Sequence, residues 1–175
     1  MFKTILVPTD GSEHAKKAVA LASDIAGKYG ARLVLLHVAL QGATADEMNR
    51  LVDVKKLPKS VRETVSRFQR IQRAAMSMPE SVGVSIPLPD EVLDAVADVV
   101  LDDAERVAKK AGVKKMKRII KHGRPARCIL AAESDEKADL IVMGSRGLGN
   151  LEGMLIGSVS HKVSSLSRST CVTVK

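Results

Sequence analysis

Apolar residues in this chain alternate between two patterns, short unbroken runs and stripes spaced by three or four. Lys3-Thr4-Ile5-Leu6-Val7-Pro8 is such a run and predicts a first strand, with Thr9-Asp10-Gly11-Ser12 as its turn. Ser12 then stands where a helix cap belongs, ahead of the stripe Ala15, Val19, Ala22 and Ile25–Ala26, and Lys28-Tyr29-Gly30 ends the helix. Ala31 to Leu40 is a second run, continuous in Leu and Val as a sheet covered on both faces requires. Further along, Asp90 is placed to cap a helix reaching Ala111, with Val92, Val96, Val99–Val100 and Val107 on one face. Its acids precede Lys109 and Lys110, the order the helix dipole favours, and Gly112 stops it. Met116–His122 predicts a third strand, Pro125–Glu133 a helix, and residues 139–143 a fourth strand. A last helix over Ser158–Leu166 and a fifth strand over Cys171–Val174 complete the chain. Strand and helix in alternation argue for an α/β fold with a parallel sheet.

Residues 41–89 interrupt that alternation. Val61, Val65, Phe68, Ile71, Ala75 and Met78 form one apolar stripe on a helix started by Pro58, while Arg62, Arg67, Arg70 and Arg73 sit mostly off it. Ala43–Lys56 is a shorter helical candidate, and Pro79–Pro89 reads as extended chain whose prolines bar a central sheet position. A basic amphipathic helix can meet a membrane surface or an acidic protein partner, but packing of the stripe on its own domain or on a second subunit is the favoured expectation.

Composition fits one domain over residues 1–175. With 45% hydrophobic and 2% aromatic residues, the core must be built from Val, Leu, Ile, Ala and Met. One tyrosine and no tryptophan argue against base-stacking recognition of nucleic acid, and no apolar run approaches a membrane span. No signal-peptide pattern opens the chain, so a cytoplasmic location is expected. Cys128 and Cys171 lack ligand spacing and read as inert core thiols. The net charge of +8 concentrates in the Arg-rich insertion and between Arg106 and Arg127, where ten Lys or Arg residues meet no acid. Nonspecific contact with nucleic acid is one reading of that segment; a solvated helix end and strand edge is the favoured one.

The candidate chemistry lies where the fourth strand ends. Gly144 and Gly147 follow it, and Gly157-Ser158 opens the last helix. Glycines let backbone N–H groups approach an anion, and a helix start adds unpaired N–H groups and positive dipole, so phosphate is the natural guest. The loop has Asn150 where a P-loop needs lysine, and no GxGxxG is present. Val159 and Ser160 are candidate phosphate donors through their N–H groups. Arg146 either pairs with a phosphate oxygen or projects into solvent, and His161 reads as capping or solvent-facing. Asp10 lies at the carboxyl end of the first strand, where open α/β sheets bind ligands; it suits ribose hydroxyls, or else caps the first helix as a turn residue.

Val7-Pro8-Thr9-Asp10-Gly11-Ser12-Glu13, Leu36-His37-Val38, Gly123-Arg124-Pro125-Ala126 with Ile129-Leu130, and Ala138–Gly144 together resemble the universal stress protein family. The family's nucleotide signature G-x2-G-x9-G-[ST] is matched by Gly144, Gly147, Gly157 and Ser158. The similarity covers residues 1–40 and about 90–175, which leaves 41–89 as an insertion. It implies a Rossmann-like, adenine nucleotide alpha hydrolase-like open sheet of five parallel strands with helices on both faces. In the ATP-binding branch, backbone groups near Val38 hold adenine, the aspartate (Asp10) lies by the ribose, and the glycine loop wraps the phosphates. The implied site is therefore Pro8, Thr9, Asp10, Val38, Met143, Gly144, Arg146, Gly147, Gly157, Ser158, Val159 and Ser160. Mg2+ would bind through the phosphates.

The expectation is an ATP-binding regulatory or stress-response protein with little or no hydrolysis, because the loop offers no group to position water and stabilise the γ-phosphate. A slow ATPase and a dimeric adaptor whose insertion docks a partner are the alternatives. A homodimer is expected through the fifth strand, as the resemblance implies, or through the insertion stripe. The family's proline before that strand is absent from Ser169-Thr170-Cys171-Val172-Thr173-Val174.

Overall fold

The computed structural model describes residues 2–39, 57–76, 88–147 and 156–175, without the side chains of residues 72, 75 and 76. Five strands, β1 (Thr4–Pro8), β2 (Arg32–Ala39), β3 (Met116–His122), β4 (Leu140–Gly144) and β5 (Thr170–Val174), form one sheet in the order β3-β2-β1-β4-β5. Every neighbouring pair is parallel, so all carboxyl ends share one rim. β1 is central: Thr4–Pro8 face Arg32–Leu36 on one side, and Ile5 and Leu6 face Leu140 and Ile141 on the other.

The continuous aliphatic runs are explained by cover on both faces. On one face α1 (Glu13–Tyr29) and a long helix (Asp90–Lys110) bury Ile5, Val7, Leu33, Leu35, Leu140 and Val142 with Ala18, Ala22, Leu101 and Ala104. On the other, Leu6, Val34, Leu36, Ile141 and Met143 pack with residues of Pro125–Glu136 and Ser158–Leu166. Chain order makes the insertion helix α2 (Lys59–Met76), Asp90–Lys110 α3, Pro125–Glu136 α4 and Ser158–Leu166 α5.

Helix ends follow local chemistry. Ser12 Oγ accepts the Ala15 N–H at 3.3 Å and caps α1, and Gly30, at φ 68°, closes it in the left-handed conformation. Asp90 does not cap α3. Pro89, extended at φ −59° and ψ 148°, holds the cap position, so Asp90 is the first helical residue and serves the dipole only. α4 runs three residues beyond Glu133, and Lys137 at φ 51° ends it.

The insertion stripe packs on its own domain. Val65 is buried with Leu57, Leu88, Val92, Leu93 and Val96, and Val61 and Phe68 pack against them, so α2 lies along α3. Ile71 is left 46% exposed, one turn past the docked part. The candidates at 43–56 and 79–87, and Met78, lie outside the described residues.

Five of the ten basic residues of the segment Arg106–Arg127 form ion pairs among the described residues. Arg106 pairs with Asp103, Lys109 with Glu105, Lys117 with Glu136 and Lys121 with Asp135, at 2.6–3.1 Å. Arg118 bridges Asp98 and Asp102 on α3, at 2.8 and 2.6 Å. These ion pairs join the edge strand β3 and the end of α3 to acids on α3 and α4, in line with the solvated-edge expectation. Cys128 and Cys171 are half-buried rather than core residues, and each thiol lies against a backbone carbonyl, that of His122 at 3.6 Å and of Ser169 at 3.7 Å.

Candidate functional site

The chain leaves β1 towards β2 on one side and returns through β4 on the other, so the topological switch point falls between the carboxyl ends of β1 and β4. Crevices at such points are where open α/β sheets take ligands. Both predicted halves of the site arrive there: Thr9-Asp10-Gly11 from β1, and Gly144-Ser145-Arg146-Gly147 from β4.

The β1 half is built by short-range hydrogen bonds. Asp10 Oδ1 accepts the Ser12 N–H at 3.0 Å, and Thr9 Oγ1 accepts the Gly11 N–H at 3.3 Å. Asp10 is thus a turn residue through one oxygen, while its other oxygen abuts Gly147. Thr9 itself is buried, and its N–H reaches Leu36 O at 2.8 Å. The Thr9 carbonyl is taken by His37 Nδ1 at 2.9 Å. A carbonyl can only accept, so Nδ1 carries the proton. Burial holds the His37 imidazole below its ordinary value of 6.5, against the partial opposition of the Thr9 bond and of Asp10. Val38, half-buried, follows beyond the last paired residue of β1, Pro8, which faces Leu36. Its backbone therefore borders the crevice.

In the β4 half each signature glycine has its own reason. A Cβ on Gly144 would lie 2.9 Å from the backbone of His14 and Ala15, so this glycine lets β4 pass under the first turn of α1. On Gly147 it would strike the Asp10 carboxylate. On Gly157 it would stand 3.3 Å from Ser145 O and 3.6 Å from Arg146 Cα. Gly157 has φ −76°, open to any residue, so close approach rather than positive φ selects glycine here.

Ser145, which the sequence reading passed over, organises the loop. It is 1% exposed; its N–H donates to Val174 O at 2.7 Å, and its carbonyl accepts the Gly157 N–H and the Ser160 hydroxyl, both at 2.7 Å. The two ends of the glycine loop are thereby tied together. Its own hydroxyl is buried with no hydrogen-bond partner among the described residues. A serine directly after the glycine that ends a strand was the available signal.

Gly157 is the cap of α5, which makes His161 the fourth helical residue. The first helix bond runs from His161 N–H to Gly157 O at 2.9 Å, so the amides of Ser158, Val159 and Ser160 precede it as a helix start requires. The Ser160 hydroxyl is engaged with the Ser145 and Gly157 carbonyls, which leaves its amide as the candidate contact. Val159 packs its side chain on the core. Met143 is 3% exposed, so its side chain belongs to the core as well. Arg146 is exposed, and its Nη2 lies 3.4 Å from His14 Nε2. Among the described residues no cluster of three or more His, Cys, Asp or Glu could hold a metal ion. No described helix is long and apolar enough to cross a membrane.

A five-stranded parallel sheet, a glycine loop tied to a helix start, and an aspartate across the switch point define a Rossmann-like α/β protein. The match to the Universal stress protein family model extends over residues 1–175, and the chain belongs to that family. A Thermus aquaticus relative, the universal stress protein in the QAH/OAS sulfhydrylase 3' region, is 31% identical over 163 residues, 93% of this chain and 91% of its own. The solved structure of MJ0577 from Methanocaldococcus jannaschii is 26% identical with a TM-score of 0.65, covering 100% of this chain and 96% of that one. A universal stress protein solved in complex with cAMP shares the fold, at 22% identity and TM-score 0.61, covering 99% and 96% of the two chains.

Proposed function

We propose that this chain binds an adenine nucleotide, ATP foremost, at the switch point and acts as a regulatory stress-response protein with little or no hydrolysis. The observation that carries the reading is the loop closure by Ser145, which sets Gly147 beside Asp10 and Gly157 at the start of α5. The cradle fits a phosphate chain: three glycines stand where a Cβ would meet backbone or carboxylate, and the amides of Ser158, Val159 and Ser160 open α5 ahead of its first helical bond. Backbone groups at Val38 would take the base and Asp10 the ribose. That a relative of this fold was solved with cAMP supports an adenine ligand of some kind. Any Mg2+ would come with the phosphates.

The little-or-no-hydrolysis part rests on the loop sequence, which has asparagine at the P-loop lysine position. The chain is further proposed to dimerise through β5, an edge strand, a route favoured over the insertion stripe because Val61, Val65 and Phe68 pack against α3.

Calorimetric titration with ATP tests the binding. Gly157→Val should cost about tenfold in affinity or more, the worth of one charge-assisted hydrogen bond, with the circular dichroism spectrum retained. Unchanged affinity in that variant would remove the loop from the site. Turnover at about 1 per second or faster in wild type, lost in Gly157→Val, would make the chain an ATPase.

A further inference from the structure

We propose that His14 and Arg146 act as a pair that reads the length of the phosphate chain, favouring nucleoside triphosphates over monophosphates. This rests on the binding proposed above and adds His14 to it. The sheet order sets the direction. With the base at the end of β2 and the ribose by Asp10 beyond β1, the next strand is β4, so successive phosphates run towards Arg146.

His14 is fixed at that end by packing. It sits in the first turn of α1, and the glycine at 144 allows its backbone to rest on the end of β4. Arg146, two residues further, reaches back to it across 132 positions of sequence. A guanidinium only donates, so in this contact His14 Nε2 is the acceptor. Arg146 is therefore steadied by an imidazole nitrogen rather than a carboxylate, and its charge remains for an anion. On the opposite face of the sheet α5 presents its first amides. A terminal phosphate between these two faces meets cation on one side and helix dipole on the other; a monophosphate, held nearer Asp10, reaches the pair less.

The experiment is calorimetric titration of ATP, ADP and AMP into wild type, His14→Leu, Arg146→Met, the double variant and His14→Gln, with melting curves as the check on folding. Each single substitution should lower ATP affinity about tenfold and AMP affinity less than about twofold. The double variant should lose no more than Arg146→Met alone, since the two residues act as one unit. His14→Gln, whose amide can accept from Arg146, should keep most of the ATP preference. An unchanged ATP-to-AMP ratio in His14→Leu, or losses that simply multiply in the double variant, would overturn the pairing while leaving nucleotide binding intact. Wild type that binds none of the three nucleotides would overturn the binding reading beneath it.

Discussion

The two rims of this sheet use polar groups in opposite ways. At the amino-end rim, carboxylates are saturated by donors from the chain itself. Glu133 Oε1 accepts the hydroxyls of Ser167 and Ser169 and the amides of Arg168 and Ser169, at 2.6–3.0 Å. Glu136 takes Arg32 and Lys117, and Asp139 accepts the amides of Lys3 and Thr4. At the carboxyl-end rim, the backbone is equally well tied, yet the Ser145 hydroxyl has no partner among the described residues and Arg146 faces an imidazole. Satisfied groups hold a fold together, whereas donors kept ready by a rigid backbone suit a ligand. Substitutions at the first rim should therefore cost stability, and those at the second should cost affinity.

The largest effect is expected at Glu133, which is 8% exposed and holds the turn leading into β5. Glu133→Ala removes an acceptor shared by two hydroxyls and two amides, of which the Arg168 amide has no second acceptor among the described residues, and should cost about 2–3 kcal/mol in urea unfolding. ATP affinity should move by less than about twofold. A stable variant with weakened binding would break the division between the rims.

Gly144→Ala comes next and crosses the division, because this signature glycine serves packing. With a methyl 2.9 Å from α1 backbone, strand and helix must shift, at about 1–3 kcal/mol. Gly157→Ala meets only a 3.3 Å contact and should cost under about 1 kcal/mol while lowering ATP affinity. Equal stability losses in chemical denaturation would mean that the signature is structural throughout.

How much of this was legible in the sequence follows from the range of the forces. The strands and helices could be read, because a sheet covered on both faces writes itself as unbroken Leu-Val runs and each cap is a local bond, as at Ser12. The failure at Asp90 has a local cause too: Pro89 already holds the extended conformation a cap needs. Strand order was not readable from the residues themselves; the resemblance implied only five parallel strands, and the central place of β1 is seen in the fold. Nor was the reason for Gly144, since its neighbour His14 is 130 residues away in sequence. Ser145 and His37 were missed for the same reason: their partners, Val174, Gly157 and Thr9, are brought by the fold.

Acid should separate the rims by pH. Burial depresses the His37 imidazole, so the unfolded chain binds a proton there that the folded one resists. Stability is complete above about 6.5 and falls as pH drops below it. For Glu133, burial alone would raise the carboxyl, but the donors of Ser169, Ser167 and Arg168 outweigh it and hold it below 4.5; Lys117 foremost, with Arg32, does the same for Glu136. Their stabilisation is present above 4.5 and lost as pH falls further. Melting temperature against pH should thus decline in two stages, and His37→Gln should flatten the first alone. A single decline below 4.5 in wild type would show that His37 is not linked to folding.

The smallest effect on stability is expected at Asp10, and the contrast with Asp139 shows why. Asp139 gives both oxygens to backbone amides at the start of β1, Oδ2 to Lys3 at 2.8 Å and Oδ1 to Thr4 at 3.3 Å. Asp10, just past the end of β1, gives Oδ1 to the Ser12 amide and sets Oδ2 against Gly147 in the crevice. Asparagine keeps one acceptor oxygen and the same shape. Asp10→Asn keeps the Oδ1 acceptor of the turn and should cost less than Asp139→Asn, which must turn an NH2 towards an amide donor and should lose about 1–2 kcal/mol. Ribose recognition needs the second acceptor, so Asp10→Asn should still weaken ATP several-fold, roughly the worth of one hydrogen bond. Inorganic phosphate, which has no ribose, should bind as before. Equal weakening of ATP and phosphate would assign Asp10 to the turn alone, and a loss of stability matching Asp139→Asn would place it with the saturated carboxylates of the opposite rim.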